Sequence, residues 1–181
     1  MRQSGNLNQY IDTYSNDPFL KENIRGLNRY VNCCIANSVG KANYLELGIG
    51  HGVTLARLSK HFERIVVLEG ASDLVTEYKG KFDNVEVIQA YFEQFGTREK
   101  LDNIGMGFIL EHVEDPAAIL IQFSQFLSPI GRLFIGVPSA SSMHRLIAQK
   151  AGFLNDLNQL SQTDLAFGHK RLWSCDDWTH L

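Results

Sequence analysis

Three glycines alternate in Glu46-Leu47-Gly48-Ile49-Gly50-His51-Gly52, directly after an apolar run. Glycine adopts backbone dihedrals that a Cβ forbids, and it lets a ligand lie against bare peptide. A glycine-rich turn between a strand and a helix is a frequent nucleotide-binding device. Its dinucleotide form carries a third glycine three places after the second, where Val53 stands; here the third is Gly52. Glu46 lies two residues before the loop. A carboxylate there repels a pyrophosphate and attracts a ligand bearing an ammonium or a sulfonium. Glu69 follows Ile65-Val66-Val67-Leu68, 21 residues after Gly48. In a doubly wound sheet the second strand ends there, and its acid accepts from both ribose hydroxyls, at about 1.5–3 kcal/mol per charge-assisted bond. On this reading the ribose is the main partner of Glu69, so its loss costs affinity and little stability. The plainer readings are a tight packing turn and an exposed strand-end acid. The spacing of the two acids around the loop favours ligand binding.

These residues need a frame. Short β-type runs fall at 43–47, 65–69, 85–89, 103–110 and 132–137, with helix-type segments between them. That alternation predicts successive βαβ units on a parallel sheet. Leu27, Tyr30, Val31, Cys34 and Ile35 form one apolar stripe ahead of the first strand; Leu55, Leu58 and Phe62 form the next, and Leu74, Val75, Tyr78 and Phe82 a third. Asp115-Pro116 is an N-cap followed by proline at the first helical position, and Ile119, Leu120, Phe123 and Leu127 then face one way. Ser128-Pro129-Ile130-Gly131 reads as the turn that ends this helix. A further helix is expected from Ser142 to Ala151, stopped by Gly152. Leu154, Leu157 and Leu160 suggest a short helix, and Ser174-Cys175-Asp176-Asp177 the cap of another.

The 181 residues fit a single domain: a helical segment over 1–40, a core over 41–152 and a C-terminal substrate-side segment over 153–181. Seventeen basic and 20 acidic side chains, without a long basic run, argue against a nucleic-acid surface. Cys33 and Cys34 are adjacent and the third cysteine is distant, which disfavours a disulfide scaffold and suits a cytoplasmic protein. Neither a secretory signal nor a membrane-length apolar run is visible. His51, His61, His112, His144 and His169 lack zinc-site spacing, and no CxxC pair occurs, so no metal is expected. Tyr10 and Tyr14 belong to an N-terminal segment able to close over a ligand, and Cys175 has no arguable base beside it.

With these motifs in order, residues 40–150 resemble the class I S-adenosylmethionine-dependent methyltransferases. The stretch from Glu46 to Gly52 resembles the family's acidic-start glycine loop, and Glu69 its ribose-binding acid. Ile109-Leu110-Glu111-His112-Val113-Glu114-Asp115-Pro116 resembles the segment after the fourth strand in the small-molecule branch. Pro138 to Leu146 and Gly168-His169-Lys170-Arg171 resemble a bacterial subgroup linked to glycan or other small-molecule methylation. The resemblance implies a Rossmann-like α/β fold of strand order 3-2-1-4-5, with the family's final strands not found before Leu181. It implies S-adenosyl-L-methionine as cofactor and a small-molecule acceptor, with Glu46, Gly48, Gly50 and Gly52 at the methionine part. Glu69 takes the ribose, Gly70 and Ala71 flank adenine, Tyr91 and Phe92 lie at its other edge, and Phe108 faces the loop across the cofactor. Tyr91 stands where the family often has an acid, and Glu93 is the substitute.

Methyl transfer from a sulfonium chiefly needs alignment, and a base only when the acceptor arrives protonated. His112 is the candidate base, with a backbone-bonded helix-entry residue as the equal alternative; His169 on a substrate-side flap comes second. Two other readings stay open: a binding module without turnover, and a nicotinamide-dependent oxidoreductase, which the 48-50-52 glycine spacing and Glu46 disfavour.

Overall fold

The structure, a computed structural model, describes residues 7–11, 20–174 and 176–177. Tyr14 and Cys175 fall outside the described residues. Strands β1 (Asn43–Leu47), β2 (Arg64–Glu69), β3 (Val85–Gln89), β4 (Leu101–Gly107) and β5 (Leu127–Gly136) form one sheet in the order β3-β2-β1-β4-β5. Every neighbouring pair is parallel. Both the expected strand order and the expected α/β class are found.

The inner strands are apolar on both sides, as a sheet covered by helices on each face requires. Tyr44, Ile65 and Val67 point into one cluster with Tyr30, Val31 and Cys34 of α1 (Leu20–Asn37) and with Leu55 and Leu58 of α2 (Val53–Leu58). The alternate residues Leu45, Leu47, Val66 and Leu68 enter the other cluster. There they meet Ile119 and Phe123 of α4 (Pro116–Ser124), while α3 (Ser72–Tyr78) contributes Leu74 to the first cluster. A fully buried Leu45 or Ile65 contributes about 1.5–3 kcal/mol, and truncation to alanine costs roughly 2–5 kcal/mol. Asp115 caps α4 as expected, its Oδ1 accepting from the Ala118 amide at 2.9 Å.

Three boundaries differ from the sequence reading. β4 stops at Gly107, not at residue 110, because Phe108 turns into the left-handed region at φ +60°. Pairing of β4 with β5 begins at Leu101 opposite Leu127, then jumps to Asn103 opposite Arg132. Residues 128–131 are thus an excursion within β5 rather than a turn before it, anchored by the Ser128 hydroxyl donating to Asp102 Oδ1 at 2.7 Å. The helix expected from Leu154, Leu157 and Leu160 does not form. The Leu157 and Gln159 carbonyls instead accept from the buried Arg145 guanidinium of α5 (Met143–Lys150), and the next helix, α6, is Gln162–Ala166.

No helix among the described residues is long and apolar enough to cross a membrane.

Candidate active site

A cavity of about 1750 Å³ opens over the carboxyl ends of the strands. Its lining includes residues that follow each of the five: Gly48, Gly70, Tyr91, Phe108 and Val137. One end is made by the glycine loop. Gly48, Gly50 and Gly52 have φ of +78°, +52° and +69°. At Gly50 an added Cβ would meet none of the described residues within 4 Å, so bare peptide is left uncovered by them. Gly52 does something else. It lies outside the cavity lining, and a Cβ there would lie 1.9 Å from the Tyr78 hydroxyl, so its role is packing rather than cofactor contact.

Glu69 is buried at the end of β2 and lines the cavity. Its Oε2 accepts from the Ile49 amide at 2.9 Å and its Oε1 from the Ala71 amide at 2.8 Å. These bonds tie the glycine loop to the turn after β2, so Glu69 is a structural staple. Its loss is therefore expected to cost stability, against the reading of the ribose as its main partner. Each carboxylate oxygen keeps a second lone pair for a hydroxyl.

Glu46 is 3% exposed under the loop, with the Tyr30 hydroxyl 3.4 Å from Oε2. Burial pushes its carboxyl up to about 8, against the pull of the Tyr44 and Tyr30 hydroxyls. Gly105 makes room for this group: a Cβ there would lie 2.1 Å from Glu46 Oε2. Gly70, Ala71, Tyr91, Phe92, Glu93 and Phe108 all line the cavity.

The other end is assembled by long-range contacts. The Arg171 guanidinium donates to the carbonyls of Leu110, Val113 and Glu114, and the Lys170 amide donates to the Glu111 carbonyl at 2.8 Å. These bonds fasten the segment after α6 to the loop after β4. His112 and His169 therefore meet edge to face, with ring centroids 4.9 Å apart. His112 lines the cavity. Burial, then the neighbouring His169, pushes its imidazole down to about 4. His169 Nδ1 lies 3.2 Å from Asp164 Oδ1. Burial pushes the Asp164 carboxyl up, but hydrogen bonds from His169 and Ser161 outweigh it and hold the group well below the usual range.

Glu111 is the residue that sequence reasoning passed over. It is fully buried, lines the cavity, and neither carboxylate oxygen has a hydrogen-bond partner among the described residues. Burial pushes its carboxyl up to about 8; its own amide and the Arg171 charge oppose the shift without forming a bond of ordinary geometry. Its place beside His112 in the post-β4 motif was the available signal. Arg145 and Asp164 were also missed, although Ser161-Gln162-Thr163-Asp164 is a capping-box pattern. Tyr10 lines the cavity; His144 is exposed on its helix; burial pushes the Cys34 thiol up to about 12.

Sheet order, glycine loop and strand-end acid together define the class I methyltransferase fold. Residues 19–181 match a family described as a methyltransferase domain, and the chain belongs to that family. A protein of Streptomyces fradiae, described as an uncharacterized 37.1 kDa protein in transposon TN4556, is 26% identical over 106 residues. The match covers 55% of this chain and 31% of that protein. The DhpI–SAM–HEP complex superposes with a TM-score of 0.61 at 21% identity, covering 82% of this chain and 73% of that one. The N-methyltransferase NodS from Bradyrhizobium japonicum WM9, solved with S-adenosyl-L-homocysteine, gives a TM-score of 0.59 at 22% identity, with 78% of each chain covered. These two structures share the fold.

Proposed function

We propose that this protein transfers a methyl group from S-adenosylmethionine to an oxygen or nitrogen of a small molecule. The observation that carries the proposal is the unobstructed peptide at Gly50, bounded by two buried carboxylates, Glu46 and Glu69, in one cavity. A nucleoside with a cationic amino-acid tail suits that set. The tail lies along Gly48 and Gly50, Glu46 faces its charge, and Glu69 offers its remaining lone pairs to the ribose. Ala71 and Tyr91 bound the base. The family membership and the donor or its product in the DhpI and NodS structures support the same donor.

The bound donor supplies an electrophilic methyl already activated by its sulfonium charge. The protein's part is alignment and exclusion of water, and positioning alone is worth on the order of 7–11 kcal/mol. Phe108, His112 and His169 line the same cavity as the glycine loop, and the two histidines are assigned to its acceptor end. His112 orients the acceptor and offers a lone pair when a proton has to leave.

Calorimetric titration with S-adenosylmethionine, S-adenosylhomocysteine and NAD tests the donor. Heat is expected with the first two; heat with NAD alone refutes the proposal. Turnover on a panel of hydroxyl and amine acceptors, followed through release of S-adenosylhomocysteine, tests the transfer, and binding without turnover on that panel would favour the silent module.

A further inference from the structure

We infer that Glu111, His112 and His169 bind one divalent transition-metal ion at the acceptor end of the cavity. Each residue offers one ligand atom, these atoms all lie within 4.8 Å of one another, and all three residues line the cavity. One carboxylate with two imidazoles suits zinc, cobalt, iron or manganese, whereas magnesium and calcium favour oxygen ligands alone.

Two independent observations point to an ion. Glu111 is 0% exposed, and among the described residues both of its oxygens lack a hydrogen-bond partner. A buried carboxylate without a donor is costly, and a cation in contact with it removes that cost. Second, one imidazole is already held through an outer oxygen: His169 Nδ1 lies 3.2 Å from Asp164 Oδ1. Metal-bound histidines are oriented in this way, one nitrogen anchored by a carboxylate or carbonyl and the other left for the ion.

Ligand atoms around one tetrahedral ion lie roughly 3.4 Å apart, so the three side chains draw together by about 1 Å on binding. Three protein ligands leave at least one position open, the pattern of metal sites that act on a substrate rather than hold a fold together. With the ion bound His112 is a ligand rather than a base, and a hydroxyl or carboxylate oxygen of the acceptor takes that position. This last clause rests on the methyl-transfer reading; the metal site does not.

The test uses the untagged chain, stripped with a chelator and titrated with Co²⁺ alone while visible absorption is recorded, and with Zn²⁺ by calorimetry. One ion per chain is expected, with the absorption of a four- or five-coordinate cobalt centre. Glu111→Gln and His169→Ala should each weaken uptake by at least about tenfold, whereas His144→Ala, on an exposed helix position, should match the unaltered protein. Absence of uptake by the unaltered protein overturns the inference, and so does uptake that survives both substitutions. If Glu111→Gln does not fold by circular dichroism, the unaltered protein and His169→Ala decide. Donor titration on the same preparation reports separately on methyl transfer, so either idea can fail alone.

Discussion

The two ends of the cavity are built by different rules. At the donor end the partners lie within one βαβ unit: Glu69 bonds to the amides of Ile49, 20 positions away, and Ala71, and three left-handed glycines shape the loop. Its strand-end acid is satisfied by backbone on both oxygens. At the acceptor end, Glu111 and His112 reach residues 168–171 through a clamp of arginine and lysine, and Glu111 is left without a donor. One end is pre-organised by local geometry. The other depends on long-range closure and keeps an unpaired group in reserve. Substitutions should sort accordingly, donor affinity moving with the first end and acceptor handling with the second.

The largest effect is expected at Gly50. Gly50→Trp fills the open peptide surface, and calorimetry should show donor affinity reduced by more than about 100-fold, equivalent to ~3 kcal/mol. The side chain also forces a left-handed residue, at about 1–2 kcal/mol, so the melting point falls while the far-UV spectrum stays native-like. Normal donor binding in that variant would erase the contrast between the two ends.

Glu69→Ala comes next. Two buried amides lose their acceptor, so denaturant unfolding should report a loss of about 2–4 kcal/mol, together with donor affinity down roughly tenfold or more. Loss of affinity with unchanged stability would return Glu69 to a purely ligand-binding role.

Arg171→Ala sharpens the comparison from the other side. Releasing three carbonyls costs about 1–3 kcal/mol in unfolding measurements. Steady-state kinetics should show kcat/KM for the acceptor lowered while the donor dissociation constant stays within about twofold, about 0.4 kcal/mol. A large change in donor affinity would mean that the ends are coupled through the loop after β4.

The remaining prediction is a pH dependence at Glu46. The carboxyl ordinarily titrates near 4.5 and in the fold near 8. Between those values the unfolded chain ionises and the folded one does not, so this group subtracts stability progressively as pH rises from 4.5 to 8. Melting curves should therefore show Glu46→Gln gaining on the unaltered protein between pH 5 and pH 8. Pairing with a cationic donor requires ionised Glu46, so binding at pH 7 should release a proton, seen as a buffer-dependent calorimetric enthalpy.

The donor end was legible because its signals are local. Alternating glycines, the acid before them and the acid one strand later sit at fixed distances along the chain, and the strand order follows from the βαβ alternation. Gly52 misled for the same reason, since the pattern cannot say that Tyr78 fills the space behind it. The acceptor end was only half visible. His112 and His169 were identified singly, but their meeting depends on Arg171 reaching three carbonyls about 57–61 positions earlier. Helical spacing of Leu154, Leu157 and Leu160 failed because the buried Arg145 draws the carbonyls that a helix needs. Phe108 ended β4 early by a dihedral that no apolar pattern encodes.

The four residues that leave the ladder in β5, 128–131, lie beside the start of β4, at the pole opposite the mouth, with Ile130 70% exposed. Extra chain spliced there would hang away from both chambers, since surface excursions absorb insertions far better than paired backbone does. A short biotin-acceptor tag at that pole would tether the protein to a sensor chip with its opening toward the flowing liquid.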